Sequence, residues 1–326
     1  MAVASPAPGS SALVSWGRLF RLSLAPSAAA DIAAGVAVSA REWPSGCEPF
    51  ALMLASLCVY HGGMALNDWA DRGQDALARP DRPIPSGAID ARRALAVAIA
   101  LLVVGPMIAS FVALASGVTL ACVAIAAALY DVAGRGAWRG PILLAACRAG
   151  NIGTGMVYGF GLRAADPSLS RETGVSIAIA LAYALYVLCV SRLGRREDVR
   201  DDSALGRTPS LELGFAALAL TAVPVIAIAR LARDELATQR EAGLVVAGTA
   251  FVVCFGAAPL ALRALRTPTW TRADVLRAMG LALRRLLVFT SGAALLCGGT
   301  YGWIVALAIL CGYPISYFLR GVFPPS

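Results

Sequence analysis

The chain has 326 residues, 58% of them hydrophobic and only 15% charged, with a mean hydropathy of +0.71. Such a balance excludes an ordinary soluble globular domain and requires a bilayer. All 28 basic residues are arginine and the formal net charge is +8; they lie in short connections between apolar runs, where topology and anionic headgroups explain them, and nucleic acid is not an expected partner.

Residues 1–15 lack the charged start and apolar core of a signal peptide and read as a disordered tail, and residues 16–326 read as one transmembrane domain. Apolar runs fall at about 18–39, 48–66, 91–114, 117–130, 140–162, 174–193, 210–232, 241–263, 278–297 and 301–319. The third and fourth share a very short connection and the last two are divided only by CGGTYG, so about nine spans are expected, with eight or ten as alternatives. The fold class is all-α, a polytopic membrane helical bundle of about nine transmembrane helices. With the N-terminus in the cytoplasm, the connections at 67–93, 131–139, 194–209 and 264–285 face the cytoplasm and hold most of the arginines. That asymmetry orients an integral multi-pass protein of the bacterial inner membrane with both acidic clusters toward the cytoplasm. The eight cysteines show no CxxC or zinc spacing and read as small buried hydrophobes.

Asp31 lies inside the first run, where an unpaired charge costs on the order of 2.5 kcal/mol or more; it is either functional or structurally paired. His61, the only histidine, reads as a hydrogen-bonded interior residue. The second run ends in MALNDWADRGQDALARPDRPIPSG, residues 64–87. If 67–75 continue the helix, Asn67, Asp68, Asp71 and Asp75 point within about 100° of one another. Carboxylates so close to a low-dielectric boundary take up protons or recruit a cation. An all-oxygen set suits Mg²⁺, which is typically held by one or two carboxylates together with phosphate oxygens. In the following loop, prolines 80, 83 and 85 predict a stiff extended path into a turn at Ser86 and Gly87, with Arg79 and Arg82 placed to contact phosphate.

Asp131 is a helix cap or a member of the same polar ring. Arg148 and Asn151 in AACRAGN share one helix face, toward a diphosphate or acceptor or in helix–helix hydrogen bonds. GNIGTGMVYGFG lies inside an apolar helix with no preceding strand and predicts close helix packing, not a nucleotide loop. A second acidic cluster, REDVRDD, follows the sixth span; Glu197 with Asp201, or Asp198 with Asp202, share a face there. Two acid sets at one membrane level could hold ions on opposite sides of a diphosphate. Thr271 is a capping candidate for the helix that begins in TWTRADVLRAMGLALRRLL.

Asn67-Asp68-x-x-Asp71-x-x-x-Asp75 followed by RPIPSG resembles the first signature of the UbiA superfamily of intramembrane prenyltransferases. LYDVAGRG is similar to the family's Tyr-x-x-x-x-Lys segment, with Tyr130 on the tyrosine and Arg135 on the lysine. MALNDWADR, RPIPSG and AACRAGN most resemble the EboC-like branch. The resemblance covers about residues 15 to 320, but SRLGRREDVRDD departs from the family's second DxxxD motif, whose register stays open. It implies Mg²⁺-dependent ionisation of a prenyl diphosphate and transfer of the prenyl group to an unknown small aromatic or lipid-like acceptor. Asp68, Asp71, Asp198 and Asp202 are then catalytic. Asn67, Arg79, Arg82, Tyr130, Arg135, Arg148 and Asn151 bind substrate, and the metal set is Asn67, Asp68, Asp71, Asp75, Glu197, Asp198, Asp201 and Asp202. Tyr158, Tyr183 and Tyr186 are candidates to shield a carbocation, with ordinary packing as the alternative. The rival functions are an ion- or proton-coupled transporter, and a diverged member acting as terpene cyclase or lipid binder.

Overall fold

The computed structural model describes residues 12–40, 43–133, 136–163, 169–198, 205–231, 239–295 and 299–323. Among them every regular element is helical, as a bilayer demands of a chain that must satisfy its own backbone. In order these are α1 (Ala12–Leu19), α2 (Pro26–Ala40), α3 (Glu48–Ala78), α4 (Ala91–Val112), α5 (Leu114–Val132), α6 (Arg139–Leu162) and α7 (Leu169–Gly194). Then follow α8 (Thr208–Leu231), α9 (Gln239–Phe251), α10 (Ala258–Arg266), α11 (Arg272–Leu295), α12 (Gly299–Leu310) and α13 (Gly312–Val322). A π-helical turn, Val252–Ala257, joins α9 to α10 so that 242–266 form one span.

Among the described residues nine helical segments are long and apolar enough to cross a membrane. The 24-residue α6 is not one of them, although it packs between α5 and α7 and against α2. Arg148, Asn151 and its glycines lower its hydropathy; its length and neighbours make it part of the bundle all the same. The third and fourth apolar runs are separate helices, turned about the extended Ala113 (φ −155°, ψ 127°). The last run is also separate: α13 returns to the Leu22–Leu24 turn, and the Phe323 ring sits against Gly17. α1 begins at Ala12, inside the stretch expected as a tail.

Local signals fix several helix ends. The Asp90 carboxylate accepts from the backbone N–H groups of Arg92 and Arg93 at 3.0 Å each, capping α4. Thr271 and Asp274 cap α11 reciprocally: the Asp274 N–H donates to Thr271 Oγ1 at 3.2 Å and the Thr271 N–H to Asp274 Oδ2 at 3.3 Å.

The span holding α2 is 72% buried and that of α4 only 17%, so α2 is central and α4 peripheral. The outer face of α4 and α5 shows Val103, Met107, Phe111 and Leu114, the surface a lipid-facing helix presents. Cysteines follow the same division. Cys189 is buried, whereas Cys47, Cys122, Cys254 and Cys311 are exposed, which corrects the reading of them all as interior; an apolar side chain faces lipid at no cost.

Where α2 crosses α6 the two backbones touch. A Cβ on Gly35 would meet the Ile152 carbonyl and the Gly155 Cα, and one on Gly155 would meet the Ile32 carbonyl. Helices in lipid gain little from burying apolar surface, so close approach through small residues is what holds them. The glycine-rich run therefore packs helices, as read. Gly35→Val is expected to lower stability by about 1–3 kcal/mol in detergent micelles. Gly153→Ala, whose Cβ meets nothing within 4 Å, should be neutral or stabilising by up to about 1 kcal/mol. Thermal unfolding of the two variants checks the crossing.

Candidate active site

The 31-residue α3 runs past the expected membrane boundary to Ala78, which carries Asn67, Asp68, Asp71 and Asp75 on one helical face. Asn67, Asp68 and Asp75 are buried and Asp71 is half-buried. Arg21 reaches this face from the bend between α1 and α2, where its backbone is left-handed (φ 49°, ψ 50°). Its guanidinium lies 3.3 Å from Asn67 Oδ1 and 3.1 Å from Asp68 Oδ1. The Asn67 amide in turn donates to Asp131 Oδ1 at 2.8 Å, joining the end of α5 to α3. Asp131 thus belongs to the polar ring. Tyr130 beside it is half-buried, and Arg135 lies outside the described residues.

Arg82 closes the other side, 2.5 Å from Asp75 and 3.5 Å from Asp68. Its loop is not extended. The Arg82 N–H donates to the Arg79 carbonyl, that of Ser86 to Arg82, that of Gly87 to Ile84 and that of Ile89 to Pro83, so 79–90 is a chain of turns. Proline sets φ near −65°, which suits a turn as well as an extended strand; Gly87 supplies the one positive φ, 76°. Ile84 and Ile89 are buried beside Leu19 and Leu66 and anchor the loop, and Arg18 donates to the Asp81 carbonyl at 3.2 Å. Arg79 is exposed at its edge.

Among the described residues no three His, Cys, Asp or Glu side chains converge on a cation position. The donor chemistry nevertheless fits a hard ion. Asn67 Oδ1 and Asp68 Oδ1 already hold a cationic guanidinium between them, and Asp68 Oδ2 is buried with no hydrogen-bond partner. Asp75 is engaged by Arg82.

The second acidic cluster begins in a tight turn, Arg195–Asp198. The side chains of Glu197 and Asp198 are not described, and Asp201 and Asp202 lie outside the described residues. Glu212, which the sequence analysis did not single out, fixes the approach to this turn. Its buried carboxylate pairs with Arg192 at 3.3 Å and Arg196 at 3.2 Å. Arg192 also lies over the Trp138 ring, 3.6 Å from its centroid. The available signal was a lone acid within an apolar run.

Asp31 is fully buried between helices. Arg148 reaches its Oδ2 at 2.9 Å and Asn151 the same oxygen at 3.0 Å, while the Tyr183 hydroxyl donates to Oδ1 at 2.6 Å. Arg148 also donates to Ser27 at 3.0 Å, and Ser56 of α3 to Asn151 Oδ1 at 2.8 Å. Of the two roles weighed for Arg148 and Asn151, the helix–helix one is occupied: the network ties α2, α3, α6 and α7 together. The tyrosine rings are likewise packed. Tyr183 and Tyr186 lie 4.8 and 6.1 Å from Phe289, the Tyr186 hydroxyl donates to the Ala282 carbonyl at 2.6 Å, and Tyr158 packs with Ile32 and Val36. His61 Nδ1 is 3.0 Å from the Phe20 carbonyl, in the interior role read for it.

Residues 28–286 match the UbiA prenyltransferase family. Over 158 residues the chain is 37% identical to the digeranylgeranylglyceryl phosphate synthase of Methanothrix thermoacetophila, a match covering 45% of this chain and 53% of that one. Over 124 residues it is 38% identical to the bacteriochlorophyll synthase 33 kDa chain of Cereibacter sphaeroides, covering 35% and 40%. It thus spans about half the length of these curated relatives or less. Among solved structures, a UbiA homolog from Aeropyrum pernix K1 superposes with a TM-score of 0.60 at 18% identity, over 84% of this chain and 97% of that one. A UbiA homolog from Archaeoglobus fulgidus bound to GPP and Mg²⁺ gives 0.57 at 13% identity, over 86% and 99%. At these identities the likeness is one of fold.

The Asp31 network has a direct thermodynamic signature. Arg148→Met leaves a buried carboxylate without its cation and is expected to cost about 3 kcal/mol, whereas adding Asp31→Asn should recover much of that loss. Thermal unfolding of the single and double variants reads the pair; equal melting of Arg148→Met and the unsubstituted protein would count against it.

Proposed function

The chain belongs to the UbiA prenyltransferase family, and from that premise we propose that it is a multi-pass membrane enzyme transferring a prenyl group from its diphosphate to a small aromatic or lipid-like acceptor. In this reaction the C–O bond between the allylic carbon and the diphosphate breaks, the diphosphate leaves with the electron pair, and the acceptor bonds to carbon and loses a proton. One observation carries the reading: Asn67 and Asp68 hold a cationic group between two oxygens while the second Asp68 oxygen stays buried and unpartnered. The relatives' names, and the GPP and Mg²⁺ of the Archaeoglobus homolog, support it.

The residues that would hold Mg²⁺ are Asn67, Asp68 and Asp71 of α3, with Glu197, Asp198, Asp201 and Asp202 completing the set in either register. When bound, the ion supplies electrostatic stabilisation of the departing diphosphate. Arg82 pairs with Asp68 and Asp75, so in this reading Asp75, expected from the sequence as a metal ligand, acts through that arginine. Arg21, Arg79, Arg82 and Arg135 offer guanidinium groups for diphosphate oxygens, and Tyr130 a hydroxyl. Arg148 and Asn151 serve by fixing the helices around the acceptor space. The concentration of arginines in the connections at 67–93, 131–139, 194–209 and 264–285 supports a mouth on the cytoplasmic side of a bacterial inner membrane.

Purified protein given labelled prenyl diphosphate, Mg²⁺ and a lipid extract as acceptor source should release pyrophosphate and label a product, and a chelator should stop both. Asp68→Asn and Asp71→Asn are expected to lower the rate by at least about 100-fold. Release that persists in both variants would remove the α3 assignment, and ion flux without release would favour the transporter. Arg82→Gln should lower activity and melting temperature together, because it leaves Asp75 without the charge it pairs with.

A further inference from the structure

Beside the acidic face of α3 lies a second, differently built recess. Trp69 and Arg72 of α3 and Arg92, Leu95, Ala96 and Ile99 of α4 line an open groove of about 460 Å³. Its two ends differ in chemistry. Arg72 and Arg92 stand near the loop that joins the helices, whereas Ile99 lies seven residues further into α4, about 10 Å along its axis. Ile99 and, one turn deeper, Val103 are exposed on this face, so the groove opens onto apolar surface.

The charged end is positive and poised. The Arg72 guanidinium lies 4.4 Å from the Trp69 ring centroid and donates to the Trp69 carbonyl at 2.7 Å, which fixes its plane. Its other N–H groups remain for an oxyanion. Asp90, the acid nearest Arg92 in sequence, is turned to the backbone N–H groups of α4. Among the described residues neither Arg72 nor Arg92 pairs with a carboxylate. A tryptophan beside arginines at a span boundary is the arrangement of the membrane–water interface, where anionic headgroups meet basic side chains.

We propose that this groove binds one anionic glycerophospholipid, with its phosphate on Arg72 and Arg92 and an acyl chain along Leu95 and Ile99. The amphiphile matches the recess in sign and polarity gradient: an anion at the arginine end, hydrocarbon at the isoleucine end. The site is separate from Asp68 and does not rest on prenyl transfer. A soluble phosphate would use only the charged end, and a second copy of the chain would bring charge +8 against two arginines.

The test uses the full chain purified in a neutral detergent, with native mass spectrometry to count bound lipid. Phosphatidylglycerol should be retained at one per chain and phosphatidylcholine not. Arg72→Gln and Arg92→Gln are each expected to weaken retention about fivefold. Ala96→Trp, which fills the groove and keeps both arginines, should abolish it. Raised thermal stability in phosphatidylglycerol-containing nanodiscs should disappear in the same variants. Equal retention of both lipids, unchanged retention in the double arginine variant, inorganic phosphate binding as well as the lipid, or a dimer lost in these variants in place of bound lipid would each overturn the proposal.

Discussion

Among the described residues each buried carboxylate of this bundle lies opposite a guanidinium. Asp31 faces Arg148, Asp68 faces Arg21 and Arg82, Asp75 faces Arg82, and Glu212 faces Arg192 and Arg196. In a low-dielectric interior an uncompensated charge is too costly to keep. Arginine suits this constraint. A guanidinium is weakly hydrated, keeps its charge and presents several donors in one plane, so one group can serve two acids, as Arg82 does.

These pairs also dictate which helices must meet. Arg21 binds the bend after α1 to α3, the amide of Asn67 binds α3 to α5, and Arg82 folds the proline loop back onto the helix it leaves. The Arg192 and Arg196 pairs hold the end of α7 against α8. The polar residues therefore do more than decorate an apolar scaffold. In lipid, where burying more hydrocarbon drives little association, glycine crossings and buried charge pairs are what specify the arrangement.

Most of the fold and part of the candidate site's arrangement were legible in the sequence, for physical reasons that differ by residue. Run length identified the helices because a bilayer leaves few other structures open. The α3 face was legible because i, i+3 and i+4 spacing survives wherever the helix continues, and it continues to Ala78. The path of 79–90 was misjudged because proline restricts φ and leaves ψ to the surroundings. Arg21 went unnoticed because its role depends on one left-handed residue between helices and on a partner 46 positions away. Neither leaves a local pattern. Glu212 was overlooked because a single acid in an apolar run declares its importance only once two arginines are seen beside it.

Satisfaction, not burial, separates the two central carboxylates. Asp31 is the more deeply buried, yet both its oxygens are used: Tyr183 donates to one, Arg148 and Asn151 to the other. Such a group gains nothing from a further ligand and loses a bond if it moves, so it works as a structural node. Asp68 differs although it has two arginines, because both reach the same oxygen and leave Oδ2 buried without a partner. A buried oxygen left in that condition is destabilising until something fills it. Around it gather Asn67, Arg21 and Arg82. Glu212 Oε2 is left in the same condition by two arginines that share Oε1, so an open oxygen alone marks no site; what supports the ligand site proposed at Asp68 is that oxygen together with Asn67, Asp71 and Asp75 on the same face of α3.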